Sequence, residues 1–508
     1  MNVGYALDPP VQSVPERVAL FVDGQETTYR RLDSLIGHAA AALTAAGVGP
    51  GDRVALVNLS SVLSVATIFA AARIGAATAQ MNAYLTPGEL GLLAEEVGAR
   101  VGVAGERYAA GLGSVVEGPV LVEADVFGDA AHGDTADGGT AHGGPTEGWP
   151  TGGEATGDRA TTTGGEDTAL VLFTSGTTGL PKPIAISHAV IADRLAFYAK
   201  PIDPSVPQVV DMMSAPIFHI AGTLGLFISL HQGKQMVMMP RFDAGEWLAL
   251  VEGRRVTQTF VVPTMLRRIL DHPRFPNTDL SSLKALSYGA AAAPVDLVQR
   301  AVAALPWVDF SNTFGQTETL GAYAALTPDD HRRGDRFGSV GRPLAGVEVT
   351  IADPESGATV GTGEVGEFLV RAKQNTTTDW LHTGDIGHQD DEGYLFLSGR
   401  ISDTINRGGE KFGPVEVEEV LRSHPLVLDV GVVGVPDPEL GERVGAVVVA
   451  SEPVSAEDLV GYCAAHLATY KAPEFVVFAD DLPISVLGKL NRPALRELLG
   501  GAPSVARP

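Results

Sequence analysis

Apolar and polar residues change their spacing repeatedly along the chain, and the changes mark out elements. Residues 30–46 read as a helix, 53–57 as a buried strand, 62–74 as a second apolar helix and 77–81 as a short strand. From about residue 16 to 104, helical stretches alternate with short Val/Ala/Leu runs, a pattern that implies parallel strands joined by crossover helices. The run Ala169-Leu-Val-Leu-Phe173 reads as another buried strand. Residues 208–213, 235–239, 256–262 and 285–288 read as strands, and 243–251 and 263–271 as helices. Residues 294–305 form a helix introduced by a proline. Residues 347–351 and 366–371 look like an antiparallel β region.

The last hundred residues carry their own pattern. Helix is expected over 415–423, 455–467 and 491–499, and strand over 427–435, 444–450 and 475–478. Ser455-Ala-Glu-Asp458 is a capping-box start, with Leu459, Val460, Cys463 and Leu467 on one face. This is a small α+β domain. Between 128 and 167, by contrast, Gly, Thr, Ala, Asp and His dominate and large apolar residues nearly vanish. Such a tract cannot bury enough surface to order itself, so a mobile low-complexity loop is expected. His132 and His142 lie in it and read as inert rather than as metal ligands.

A chain of 508 residues exceeds the size at which one core stops growing, so two or more domains are expected. Its net charge of −25 argues against nucleic acid as a partner, because a phosphate backbone needs a basic face. Cys463 is the only cysteine, so no internal disulfide forms. The N-terminal residues show no secretory pattern, and a cytoplasmic location is expected. The most apolar window, 54–79, contains Asn58, serines and Arg73. It reads as a strand and a helix rather than an integral membrane segment.

The segment Leu172-Phe-Thr-Ser-Gly-Thr-Thr-Gly-Leu-Pro-Lys182 stands out chemically. Its glycines allow backbone N–H groups to approach an anion, its hydroxyls add donors and its lysine adds charge, as a polyphosphate requires. The spacing of Gly176, Gly179 and Lys182 is not that of a Walker loop. In so acidic a chain, an anionic substrate depends on a few local cations, which directs attention to Lys182, Arg400 and Lys489.

This loop resembles the phosphate-binding signature of the adenylate-forming superfamily, which comprises acyl- and aryl-CoA ligases, nonribosomal-peptide adenylation domains and beetle luciferases. Asn312-Thr-Phe-Gly-Gln-Thr-Glu318, His382-Thr-Gly-Asp385, Gly399-Arg400, Ile405-Asn-Arg-Gly-Gly-Glu410 and Gly488-Lys489 follow in the family's order. Upstream, Thr28-Tyr-Arg-Arg-Leu32 and Gly47-Val-Gly-Pro-Gly-Asp-Arg-Val54 match its N-terminal pattern, so the likeness spans nearly the whole chain. It implies an α/β fold class: a large, multi-subdomain N-terminal domain of αβαβα type over residues 1–399, and a small, mobile α+β C-terminal lid over 400–508. The boundary falls at 399–403, where the family has its hinge.

The resemblance also implies roles. Thr174, Ser175, Gly176, Thr177, Thr178, Gly179 and Lys182 would cradle the phosphates of ATP. Gly289, Ala290, Ala291, Asn312, Phe314 and Gly315 would hold the adenine, with Phe314 standing where a tyrosine is commoner. Asp385 would accept both ribose hydroxyls, and Arg400 would reach the ribose or the phosphates. Thr317 would lie at the phosphate and Glu318 would be the carboxylate associated with Mg2+. Lys489 would bridge the carboxylate and the α-phosphate. The bland alternative for Thr317 and Glu318 is a pair that starts a helix.

His219 matches a histidine near the acyl pocket, where it would position or gate; a satisfied core histidine is an equal alternative. Phe218, Gly222, Thr264, Gly289 and Thr319 would line the same pocket, with walls from 218–223, 261–264, 287–289 and 310–320. Gly408 and Gly409 would admit the pantetheine arm of CoA, and a plain β-turn is the competing reading. Ser402 occupies the hinge position, where the family usually has Asp or Lys.

The implied activity is a two-step ligation. A monocarboxylic acid with an apolar or aromatic tail reacts with ATP to give an acyl-adenylate, and CoA then displaces AMP. The acceptor alternatives are a separate acyl carrier protein and a nitrogen nucleophile. A luciferase-like oxidoreductase and a non-catalytic sensor are the readings from other classes.

Overall fold

The computed structural model describes residues 1–131, 164–174, 181–377, 379–484 and 490–500. His132, His142 and most of the low-complexity tract lie outside the described residues, as do Ser175, Gly176, Thr177, Thr178, Gly179, Gly488 and Lys489. The described chain forms two compact units, one built from Met1–Gln208 with Pro216–Pro240, the other from Val209–Ala215 with Arg241–Pro508.

In the first unit the short Val/Ala/Leu runs become one sheet. Its strands lie in the order Val120–Leu121, Val101–Ala104, Arg53–Val57, Ala77–Met81, Thr168–Thr174 and Lys182–Ser187. All pairs are parallel except the last. Strands Arg53–Val57 and Ala77–Met81 are almost wholly buried, as expected for parallel strands covered on both faces. The helix Val62–Arg73 buries ten of its residues, which accounts for its unbroken apolar run without a membrane. Among the described residues no helix is long and apolar enough to cross one. A separate hairpin, Val18–Val22 with Gln25–Thr28, pairs with the parallel strand Gln235–Met238.

The second unit carries parallel strands Val210–Met213, Gln258–Val261, Ala285–Gly289 and Asp309–Gln316, extended by antiparallel Gly321–Leu326 and Arg342–Pro343. Alternate residues of these strands face the core: Thr259 and Val261, Leu286 and Tyr288, Phe310 and Asn312 are buried, whereas Phe260, Ser287 and Ser311 are half-buried. An antiparallel meander follows, through Glu348–Ala352, Gly366–Arg371, Leu381–Gln389 and Leu395–Arg400.

Beyond a 3-10 turn at Ile401–Asp403, strands Val427–Asp437 and Gly441–Ala450 form a long hairpin. Phe475–Phe478 adds to it in parallel and Ile405–Arg407 in antiparallel fashion. Helices Pro414–Arg422 and Ala456–His466 contribute Val417, Leu421, Leu459, Val460 and Cys463 to the core there. Ser455 accepts a hydrogen bond from the Asp458 N–H, the forward half of the expected box.

Candidate functional site

The strand pair that brackets the glycine-rich segment puts Thr174 opposite Lys182 in register. Thr174 is half-buried and Lys182 is exposed, so a hydroxyl and an ammonium group stand at the two ends of residues 175–180. Elsewhere in this unit, His219 is the N-cap residue of the helix Ile220–His231. Its ring lies 4.7 Å from that of Phe218. Phe218 is buried against Ala79, Met81 and Leu90, so its side chain is part of the core, and Gly222 is buried in the first helical turn.

In the second unit the sheet brings the other expected residues together. Parallel pairing sets Tyr288 beside Asn312 and Gly289 beside Thr313. A Cβ at Gly289 would come within 2.2 Å of the Thr313 carbonyl oxygen, so only glycine fits. The next residue, Ala290, has φ +66°, a strained left-handed conformation for a residue with a side chain. It turns the chain sharply at the end of the strand, just after Gly289 lies beside Thr313. Phe314 packs edge-on against Tyr323 at 5.2 Å, and a bulge separates it from Gly315.

Thr317 and Glu318 do not start a helix. They occupy the four-residue turn 317–320 between antiparallel strands Asp309–Gln316 and Gly321–Leu326. The Thr319 hydroxyl holds that turn: it lies 3.0 Å from the Gln316 oxygen and 2.7 Å from the Gly321 oxygen, and it accepts from the Gln316 N–H at 3.0 Å. Thr319 is therefore buried scaffolding beneath the turn. The Glu318 carbonyl accepts the Thr376 N–H at 2.9 Å, and the Gln316 amide reaches the Thr383 oxygen at 3.4 Å.

Asp385 and Arg400 face each other across adjacent strands. The Arg400 Nε donates to the Asp385 carboxylate at 2.8 Å, with Asp385 buried and Arg400 half-exposed. Burial opposes the Arg400 charge, but the Asp385 carboxylate, with Asp403 and Glu318 further out, more than offsets it, so the guanidinium pKa is raised. Thr319, Glu318, Asp385 and Arg400 are thus joined by a short run of hydrogen bonds and charge–charge attraction. Thr264 is half-buried in the first turn of the helix Pro263–Leu270.

Sequence reasoning missed Tyr323. It is fully buried, and burial, aided by the Asp385 charge, pushes its pKa well above the usual value. Its neutral phenol forms part of the apolar layer under the Asp385–Arg400 pair. It also missed the His382–Glu367 contact at 2.8 Å and the Gly384 N–H donating to Glu367 at 2.9 Å, which shape the bend before Asp385. Neither carries a signal in a linear sequence.

Gly408 and Gly409 form the two-residue turn between strands Ile405–Arg407 and Glu410–Phe412, with φ +61° and +97°. Turns of that hand match strand twist and need glycine. The Gly408 N–H donates to the Leu440 oxygen at 2.7 Å. Beside them Arg407 pairs with buried Glu474 at 2.9 Å, which Arg443 also approaches at 3.5 Å. Ser402 lies in the 3-10 turn Ile401–Asp403.

The family model described as AMP-binding enzyme matches residues 8–378, and that described as AMP-binding enzyme C-terminal domain matches 416–489. The chain belongs to the AMP-binding enzyme family. It is 30% identical to the long-chain-fatty-acid–CoA ligase FadD13 of Mycobacterium tuberculosis, covering 98% of both chains. It is 31% identical to a feruloyl-CoA synthase of Amycolatopsis, covering 96% of both. Among solved structures, the amide bond synthetase McbA of Marinactinospora thermotolerans superposes with a TM-score of 0.81 at 29% identity, over 97% of this chain and 99% of that one. The protein is thus an enzyme of the adenylate-forming ligases, ATP-dependent and AMP-forming, with the α/β fold of a large N-terminal and a smaller C-terminal domain.

The second unit's residues fit a nucleotide: a narrow glycine–alanine edge for the base, a buried carboxylate for hydroxyls and a cation for charge. Among the described residues no cluster of three or more acidic, histidine or cysteine side chains forms a metal cage. A single half-buried carboxylate, Glu318, suits magnesium, which typically arrives with substrate phosphates and keeps most of its waters.

Proposed function

We propose that the enzyme activates a monocarboxylic acid with ATP and transfers the acyl group to CoA. The observation that carries the reading is the joining of Asp385, Arg400, Glu318 and the Thr317 turn in one network, beside strands that end at Gly289 and Gln316. Asp385 accepts the two ribose O–H groups, and the Arg400 guanidinium at 2.8 Å orients its carboxylate for them. Asn312 and the Gly289-Ala290-Ala291 backbone bind the base, against which Phe314 lies. Thr174, Lys182 and residues 175–179 neutralise phosphate charge, and Thr317 serves the same end. Magnesium at Glu318 would supply further charge neutralisation for the triphosphate.

A carboxylate oxygen of the acid attacks the α-phosphorus and pyrophosphate leaves with the electron pair. Lys489, in the family's Gly-Lys motif, steadies the negative charge on both reacting groups. The lid, residues 400–508, turns about Ser402 and brings the Gly408-Gly409 turn to the acyl-adenylate. The CoA thiolate then attacks the carbonyl carbon, and AMP departs with its bonding pair. His219 positions the acyl group.

Mass-spectrometric product analysis with acid, ATP and CoA tests this: thioester, AMP and pyrophosphate are expected in equal amounts. Likeness to an amide bond synthetase favours one second reading, an amine as acceptor. Adenylate that accumulates with CoA and is consumed on adding an amine would establish it. Lys489→Ala should cripple adenylate formation far more than it weakens ATP binding.

A further inference from the structure

We propose that the acid is a ring-hydroxylated aromatic monocarboxylate, and that Ser287 and Ser311 read its hydroxyl group. This deepens the adenylation reading and rests on it. Three strands place Phe260, Ser287 and Ser311 side by side in one row, all half-buried on the face opposite the packed core. The two serine oxygens are 2.8 Å apart. Their mutual hydrogen bond uses one of two hydroxyl protons, and neither has another partner among the described residues. One O–H donor and several lone pairs therefore stay available on a partly dry surface.

A phenolic hydroxyl both donates and accepts, and matches that pair. Phe260, next in the row, offers an aromatic surface for the ring. Two residues further along the same strand faces lie Gly289 and Thr313, at the nucleotide end of the sheet. The serines are thus about 7 Å back from it, at two residues of strand rise, roughly one ring beyond an activated carboxylate. One row further back come Gln258, Ala285 and Asp309, with the Gln258 amide donating to Asp211 at 2.7 Å. Asp309 pairs with Arg332 at 2.6 Å, so the carboxylates at this end of the row already have partners.

A site that hydrogen-bonds a substrate hydroxyl discriminates strongly against the analogue lacking it. Pyrophosphate release is measured with benzoic and 4-hydroxybenzoic, cinnamic and 4-hydroxycinnamic, and octanoic acids. At least one hydroxylated acid should exceed its unsubstituted partner at least tenfold in kcat/KM and exceed octanoate. In the Ser287→Ala, Ser311→Ala and doubly substituted enzymes that ratio should collapse toward one. A ratio within one preparation is independent of how much protein is folded. Octanoate as the best acid, no preference for the hydroxyl in the wild type, or a preference that survives both substitutions would each overturn the assignment. Pyrophosphate release with none of the five acids, though seen with some other acid, refutes the assignment alone; release with no acid at all removes the adenylation reading as well.

Discussion

Arg492 is the residue whose removal should cost most in the C-terminal lobe. It opens the helix Arg492–Leu499, and its guanidinium, 15% exposed, reaches Glu418 at 2.8 Å and Asp403 at 3.1 Å. It also donates to the Val432 carbonyl. Burial opposes its charge, but Glu418 and then Asp403 outweigh that and raise its pKa. Arg492→Met keeps the length and removes the charge. Glu418, 9% exposed, is then left as a buried carboxylate with the Val432 N–H donating to it at 3.0 Å. Stranding a buried charge costs about 3–5 kcal/mol. Asp403, 29% exposed, regains water, which places the expected loss near the lower end, about 3 kcal/mol.

All four tryptophans lie at 149, 247, 307 and 380, so their fluorescence does not report on this lobe. Hydrogen exchange of strands Val427–Asp437 and Gly441–Ala450 does, and protection there should fall about 100-fold, at roughly 1.4 kcal/mol per decade. Adding Glu418→Gln should restore at least half of the loss in free energy. A fall of less than tenfold, or a double variant no better than the single one, would refute the buried-charge argument.

Three further outcomes follow from the structure. Glu474→Gln should loosen Arg407 beside the Gly408-Gly409 turn, raising KM for CoA about tenfold through loss of a charge-assisted hydrogen bond while acid-dependent pyrophosphate exchange is retained; an equal fall in both half-reactions would contradict a positioning role. Gly341 has φ +97°, and a Cβ there would lie within 1.9 Å of Ala325, so Gly341→Ala should cost more than about 4 kcal/mol; a melting temperature within a few degrees of wild type would count against it. Burial lowers the pKa of His188 and of His331 below the usual 6.5, although Asp167 and Asp330 respectively oppose the shift. Both stay neutral in the fold while the unfolded chain takes up protons, so stability is full above about pH 6.5 and declines as the pH falls below it. Urea midpoints flat from pH 7 to 5.5 would show that these histidines do not contribute.

Elements with an unambiguous hydrophobic run were legible in the sequence. Strands Arg53–Val57, Ala77–Met81 and Phe475–Phe478 fall where the runs place them; in the first, Val54–Val57 are buried and apolar on both faces, as a covered parallel strand requires. Leu381–Gln389, sequence Leu-His-Thr-Gly-Asp-Ile-Gly-His-Gln, forms a nine-residue strand with almost no apolar alternation. It is held by its neighbours on both sides, and tertiary pairing of that kind overrides local pattern. Thr317-Glu318 looked able to begin a helix, but the Thr319 hydroxyl closes a turn instead. The motifs located Asp385 and Arg400 without showing that they bond each other, and the Ser287–Ser311 pair became visible only with strand register.

The most direct measurement is exchange of labelled pyrophosphate into ATP, with and without added acid. Exchange that depends strictly on a carboxylic acid, accompanied by AMP as the nucleotide product of complete turnover, is the expected result. ADP and phosphate as products, or no exchange with any acid while ATP binds, would contradict it.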